Sequence, residues 1–211
     1  MLSTELLLRR GAVMSRERVS DDHAFIEGLF AQHNGEIYGF LARMLRDDDM
    51  AADLTQDTFV KAYRALDSLE DRARARAWLF QIASHAALDE LRRRRVVRFV
   101  PWTGESRGTA PSAEDTALHG TMSAEMARAL ARIPDRQRSA LLLAEIHEMT
   151  GVELATALGV SHVAARALLT RARESLRQAL AAEHAAARER DARHGRLPDE
   201  PAVANPADKR R

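Results

Sequence analysis

Between Thr150 and Leu180 the chain reads TGVELATALGVSHVAARALLTRARESLRQAL, and this order leaves the backbone few alternatives. Thr150 and Glu153 stand at the capping-box spacing, where each side chain satisfies a free backbone N–H at a helix start. Leu154, Ala155 and Leu158 then fall on one helical face. Gly159 can take the positive φ that ends a helix, and Val160 fills the corner behind it. Ser161 is an N-cap for a second helix, whose Ala165, Leu168, Leu169, Ala172 and Leu176 recur at three and four. Two helices meeting at a tight glycine turn are predicted, the second bearing Arg166, Arg171, Arg173 and Arg177. That is the layout of a DNA-reading helix-turn-helix, and also of a plain αα-corner with a solvated basic face.

With 211 residues there is room for one or two domains. Aromatics are only 5% of the chain and much of its apolar content is alanine, which favours small helical cores over a large sheet. No segment approaches the ~18 apolar residues of a membrane span. The opening MLSTELLLRRG places its arginines after a very short apolar run, the wrong order for a signal peptide. With no cysteine, disulfides and thiolate metal sites are excluded. A cytoplasmic protein with no membrane contact is expected.

A formal net charge of +1 hides strong segregation. Residues 21–57 carry nine acids against Arg43 and Arg46. Residues 72–98 carry eight arginines against Asp89 and Glu90. Such faces suit a basic protein surface and a nucleic acid, although solvated faces need no partner.

Residues 1–21 show no sustained periodicity and are expected to be a mobile leader. From Asp22 a long helix is predicted, with Phe25, Leu29, His33, Ile37, Leu41 and Met44 inward and Ile26, Phe30, Phe40 and Leu45 widening the stripe. Asp47, Asp48 and Asp49 are better explained as N-capping acids than as cation ligands, because a calcium loop's alternating oxygens and glycine are missing. A second helix over about 50–66 turns Leu54, Phe59, Ala62, Tyr63 and Leu66 inward. It leaves Asp53, Gln56, Asp57 and Lys61 on a polar face. A third, over about 76–95, ends in Arg92-Arg93-Arg94-Arg95, which suits both the helix dipole and phosphates. Its Trp78 and Phe80 fit core packing, or stacking on unpaired bases.

The first domain is therefore placed at 22–98. Residues 99–120, rich in Gly, Pro, Ser and Thr and carrying Trp102, read as a flexible linker. A second domain over 121–182 holds a helix that stops at Ile133-Pro134. Another comes next, capped by Asp135, with Leu141, Leu142, Leu143 and Ile146 inside, and then the helix-turn-helix. Residues 183–211 read as a mostly disordered tail. The fold class is all-α, two small helical domains.

Nothing points to catalysis. His147-Glu148 begins a zinc-protease HExxH, but Gly151 stands where the second histidine belongs. No phosphate-binding glycine loop, serine elbow or His/acid ligand cluster is present. No enzyme, catalytic residue, metal, cofactor or small-molecule substrate is expected.

Two segments together resemble a known family. DMAADLTQDTFVKAYRALDSL (49–69), with ARAWLFQIASHAALDELRRRR (75–95), resembles region 2 of the extracytoplasmic-function (ECF) sigma factors of bacterial RNA polymerase. Residues 129–180 resemble their region 4. The resemblance implies binding to core RNA polymerase and promoter DNA, and possible control by an anti-sigma protein. It assigns Asp53, Gln56, Asp57 and Lys61 to docking on the polymerase. Asp67, Ser68, Leu69, Arg72, Trp78, His85, Arg92 and Arg93 go to the downstream promoter element, where a base is flipped from the melted strand. Ser161, His162, Arg166, Thr170, Arg171 and Arg173 go to the upstream element. The chain departs from the pattern at His85, where asparagine is common, and at Val163-Ala164-Ala165 and Leu168 in the recognition helix. The alternative is a stand-alone helix-turn-helix regulator whose first domain senses or dimerises.

Overall fold

The computed structural model describes residues 2–99 and 122–194, with side chains over 20–96 and 122–189. Among the described residues the structure is all helix. Its elements are α1 Leu2–Leu45, α2 Asp48–Arg64, α3 Ala75–Phe99, α4 Ala124–Arg132, α5 Asp135–Leu141, α6 Gly151–Leu158 and α7 His162–His194. Helices α1, α2 and α3 pack on one another, α7 packs on α4, α5 and α6, and α3 lies against α6. Phe99, the first residue of the expected linker, ends α3, and the rest of that linker with Trp102 falls outside the described residues.

Leu29, His33, Ile37, Leu41 and Met44 are buried on α1 as the spacing predicts, and Phe40 is completely buried with them. Phe30 instead stays 46% exposed, edge-on to Phe59. Helix α1 begins at Leu2, far ahead of the expected start at Asp22. No proline precedes Pro101, and leucine, arginine and glutamate hold helix well, so the helix runs back through the leader. Periodicity reports a packing face, and a helix can extend beyond the stretch that carries one.

Arg46 leaves α1 at φ 55°, and Asp47 caps α2 by accepting from the Met50 N–H at 3.0 Å, as the capping argument requires. The inward face of α2 is Ala51, Thr55, Thr58, Phe59 and Ala62. Tyr63, expected inside, is 40% exposed and lies against His23. Both threonines tolerate burial because their hydroxyls donate to the carbonyls of Ala51 and Leu54, each at 2.7 Å.

In the second unit Ser123 caps α4, its hydroxyl accepting from the Met126 N–H at 3.1 Å. Asp135 does not cap α5, since Pro134 holds that position; its carboxylate pairs with Arg138 of its own helix and with Arg95 of α3. After Leu141 the helix opens into one π turn over Leu142–Ile146, closed by the His147 N–H on the Leu142 carbonyl at 3.1 Å. One inserted residue rotates the side chains beyond it by about 100°. Ile146, expected inside, is therefore 43% exposed, and His147 is turned inward.

The helix-turn-helix forms as its sequence dictates. Thr150 and Glu153 make a reciprocal capping box. Gly159 sits at φ 64°, ψ 39°, and α6 and α7 are bent 93° apart. The Ser161 hydroxyl accepts from the Ala164 N–H at 3.2 Å. The domain boundary expected at 182 falls inside α7, which continues to His194. Glu183 is 2% exposed there, held by Arg128 at 2.9 Å and Arg132 at 2.7 Å, while His184 meets Glu125. Residues polar enough to read as a tail are paired to α4. Ending the chain at residue 182 should cost about 1–2 kcal/mol of charge-assisted bonding, or about 4–8 °C of melting temperature per kcal/mol lost. Ending it at 195 should leave the melting curve by circular dichroism unchanged.

Candidate nucleic-acid interface

The exposed end of α7 is built on a buried row of Ala165, Ala172 and Ala179, which turns Ser161, His162, Arg166, Thr170, Arg171 and Arg173 to solvent. These side chains are not equally available. The Arg166 guanidinium has no ion pair or hydrogen bond among the described residues. Arg173 is bound by both Nε and Nη2 to Glu145, at 2.9 and 2.7 Å. Arg171 Nε donates back to the Ala167 carbonyl at 3.3 Å, and the Thr170 hydroxyl to that of Arg166 at 3.1 Å. His162 folds over the start of α6, so close that a Cβ at Gly151 would lie 2.6 Å from its Nε2. Val163, noted in the sequence only as a departure from the family pattern, is 77% exposed in the first turn. The signal that marks it is an apolar residue off the buried stripe, at the tip of a recognition helix.

Around α3 the described arginines are already committed. Asp67, Ser68, Leu69 and Arg72 ride on two short 3₁₀ turns before it, Leu66–Ser68 and Arg72–Arg74. Arg72 pairs with Asp22 at 3.2 Å and lies over the Phe25 ring at 4.3 Å. Arg92 pairs with Asp89, Arg93 with Glu90, and Arg94 with both Glu90 and Asp47. Burial raises the Glu90 pKa, but hydrogen bonds and charge from Arg94 and Arg93 outweigh it and hold the carboxyl below its usual range. Trp78 is 9% exposed and Phe80 wholly buried, so core packing, not base stacking, is what occupies both rings. Trp78, assigned to the downstream element, is packed in the core in this structure. His85 is exposed, with its Nε2 beside Gly159 of the helix-turn-helix.

Helix α2 differs. Asp53, Gln56, Asp57 and Lys61 are exposed, and no side chain of theirs has a partner among the described residues. Val60, 47% exposed, shares their face at helical spacing.

Where the two units meet, His147 enters between them. It is 8% exposed, its ring centroid 4.7 Å from Phe80 and 6.1 Å from Phe40. Its carbonyl accepts from Arg76 at 2.9 Å, and Arg76 also holds Glu36 at 2.9 Å. Burial lowers the His147 pKa to about 4; the nearby Glu36 opposes the shift, and Arg76 and Arg43 add to it.

Among the described residues no group of acids and histidines is placed to hold a metal ion, and no single helix is long and apolar enough to cross a membrane. The geometry defines a two-unit helix-turn-helix protein with an uncommitted acidic face. The family model for Sigma-70 region 2 matches residues 29–96, and that for Sigma-70, region 4, matches residues 123–176. The chain is 34% identical to the RNA polymerase sigma factor CarQ of Myxococcus xanthus, over 79% of this chain and 95% of that one. It is 32% identical to the sigma factor YlaC of Bacillus subtilis, over 72% and 90%. Among solved structures, the sigma factor RpoE of Bartonella quintana, crystallised with the anti-sigma factor NepR, shares the fold with a TM-score of 0.57. That match has 24% identity and covers 73% of this chain and 95% of that one. CnrH, in complex with the cytosolic domain of CnrY, matches with a TM-score of 0.52 and 30% identity, over 74% and 88%. The chain belongs to the ECF family of RNA polymerase sigma factors.

The seam histidine makes a pH prediction whose sign is fixed. Its pKa in the packed state, about 4, lies below the ordinary 6.5, so the unpacked state binds more protons between these values. The stability His147 contributes is full above about 6.5 and lost as pH falls toward 4. Melting temperature should therefore drop between pH 7 and pH 5 by more in the native chain than in a His147→Phe variant, measured by scanning calorimetry.

Proposed function

We propose how the surfaces of this chain divide the work of a sigma factor, which binds core RNA polymerase and directs promoter-specific initiation of transcription. The observation that carries the division is the contrast in commitment. Asp53 and Asp57 of α2 are exposed and unpaired among the described residues, while the described arginines of α3 are paired within the chain. Asp53, Gln56, Asp57 and Lys61, around the exposed Val60, form a docking face for a basic surface of the polymerase. An apolar centre inside a polar rim is the usual anatomy of such a contact. The loop of Asp67, Ser68, Leu69 and Arg72, with His85, Arg92 and Arg93, serves the downstream element. Ser161, His162, Arg166, Thr170, Arg171 and Arg173 serve the upstream one. Initiation needs no bond chemistry from this chain, so its role is non-catalytic, and it works in the cytoplasm with the polymerase. One structural neighbour was solved with an anti-sigma factor, and we extend that kind of partner to this chain.

Reversing Asp53 and Asp57 to lysine should weaken binding to core polymerase while leaving helicity intact. An exposed pair is worth only ~0.2–1 kcal/mol, so both are changed together. Equal affinity of variant and native protein at moderate salt would remove the docking face from α2.

Free Arg166 and tethered Arg173 should behave differently on DNA. Replacing Arg166 by alanine should cost about 1–3 kcal/mol on a cognate upstream element and blur preference at one or two base pairs. Replacing Arg173 should weaken all sequences alike and lower the salt slope by about one. Selection on a randomised upstream element distinguishes them: a uniform loss for Arg166→Ala makes that residue a phosphate contact.

A further inference from the structure

We propose that Val163 reads the C5-methyl group of a thymine in the upstream element, beside the base pair that Arg166 contacts. The inference rests on the promoter role proposed for α7 and names a base that this helix selects. Among the described residues Val163 is the most exposed large apolar side chain, at 77%. It stands two positions from the wholly buried Ala165, and so on the opposite side of the helix. Arg166, Ala167 and Thr170 follow it at helical spacing, so these four exposed residues share one face.

The polar groups around that face are mostly engaged within the chain. The Ser161 hydroxyl accepts the Ala164 N–H at 3.2 Å as the helix cap. Thr170 gives its hydroxyl proton to the Arg166 carbonyl at 3.1 Å. His162 is folded over Gly151, and Arg171 Nε donates to the Ala167 carbonyl at 3.3 Å. Arg166 is left as the polar reader of the first turns, and the rest of the exposed surface there, Val163, Ala164 and Ala167, is carbon. Carbon does not distinguish the donors and acceptors of a base edge. The major groove does hold one apolar landmark, the methyl group of thymine.

Of the three carbon side chains, valine reaches furthest from the backbone. Its branched Cβ leaves one strongly preferred rotamer in a helix, so both methyl groups are held in place before DNA arrives. The fold gains little from it, since valine is a modest helix former and is barely buried here. Residues three apart are separated by about 4.5 Å along a helix axis, and base pairs stack about 3.4 Å apart. Val163 and Arg166 therefore meet base pairs about one or two steps apart, with Val163 nearer the helix end that reads base edges. Because the chain departs from the family pattern at this residue, the preference is one that the resemblance does not supply.

The test assembles the full-length protein with core polymerase and selects its upstream element from a randomised promoter. Each thymine of the selected element, on either strand, is then replaced singly by uracil, which pairs identically and removes only the methyl. For the native holoenzyme one such replacement should weaken promoter binding about fourfold, as expected for one buried methyl group. In the Val163→Ala holoenzyme the same replacement should have no effect; alanine is the better helix former, so that variant keeps its fold. Val163→Ile should retain the uracil penalty, and so should Arg166→Ala, which loses a different base pair. A native holoenzyme indifferent to every uracil would overturn the proposal, as would a uracil penalty just as large in Val163→Ala. A selected element with no thymine beside the position that Arg166→Ala blurs would overturn it too. If native protein and core yield no promoter-directed transcript, the sigma-factor reading itself fails and the proposal falls with it.

Discussion

Phe80 lies edge-on to Phe40 on one side and against His147 on the other, and no part of it reaches solvent. A side chain so enclosed belongs to two cores at once. Through it α3 is both the third helix of the first unit and the floor on which the second unit rests. Small residues allow the close approach: Ala77, Ala83, Ser84 and Ala87 are buried along the same helix, and Gly159 meets it from the other side. An added methyl at Gly159 would face both an unfavourable φ and the ends of Gln81 and His85.

Charge follows the same economy. The arginines that look, along the chain, like an uninterrupted phosphate-binding run are distributed among Asp89, Glu90, Asp47 and Asp135. Glu90 and Glu183, both nearly buried, each gather two arginines. Against that background Asp53 and Asp57 of α2 stand out, exposed and without a cation among the described residues, which is what supports the proposal that they dock on another molecule. The same reasoning singles out Arg166 on α7 from the arginines around it.

Much of this was legible in the residues. The capping box at Thr150, the left-handed Gly159 and the Ser161 cap are local devices, fixed by side chains a few positions apart, and the structure has them as read. So are the Asp47 cap and the buried stripe of α1. What sequence could not supply depended on partners distant in the chain, or on a helix that carries no stripe. The stretch before Asp22 is of the second kind, since its residues favour helix without repeating an apolar face. Glu183 reads as tail until Arg128 and Arg132 are seen to hold it. The π turn at Leu142–Ile146 rotates Ile146 out and His147 in, and nothing in LLLAEIHE announces the extra residue. Along the chain His147 is only half of a failed zinc motif, whereas its work is to join two units.

As a sigma factor, this chain supplies promoter selection to core RNA polymerase. The most direct measurement is transcription in vitro with core RNA polymerase, with and without the full-length protein, on a library of genomic promoter fragments. New start sites should arise only when the protein is present, sharing one upstream and one downstream element at fixed spacing. A set of start sites identical with and without the protein, from core that responds to another sigma factor, would contradict it.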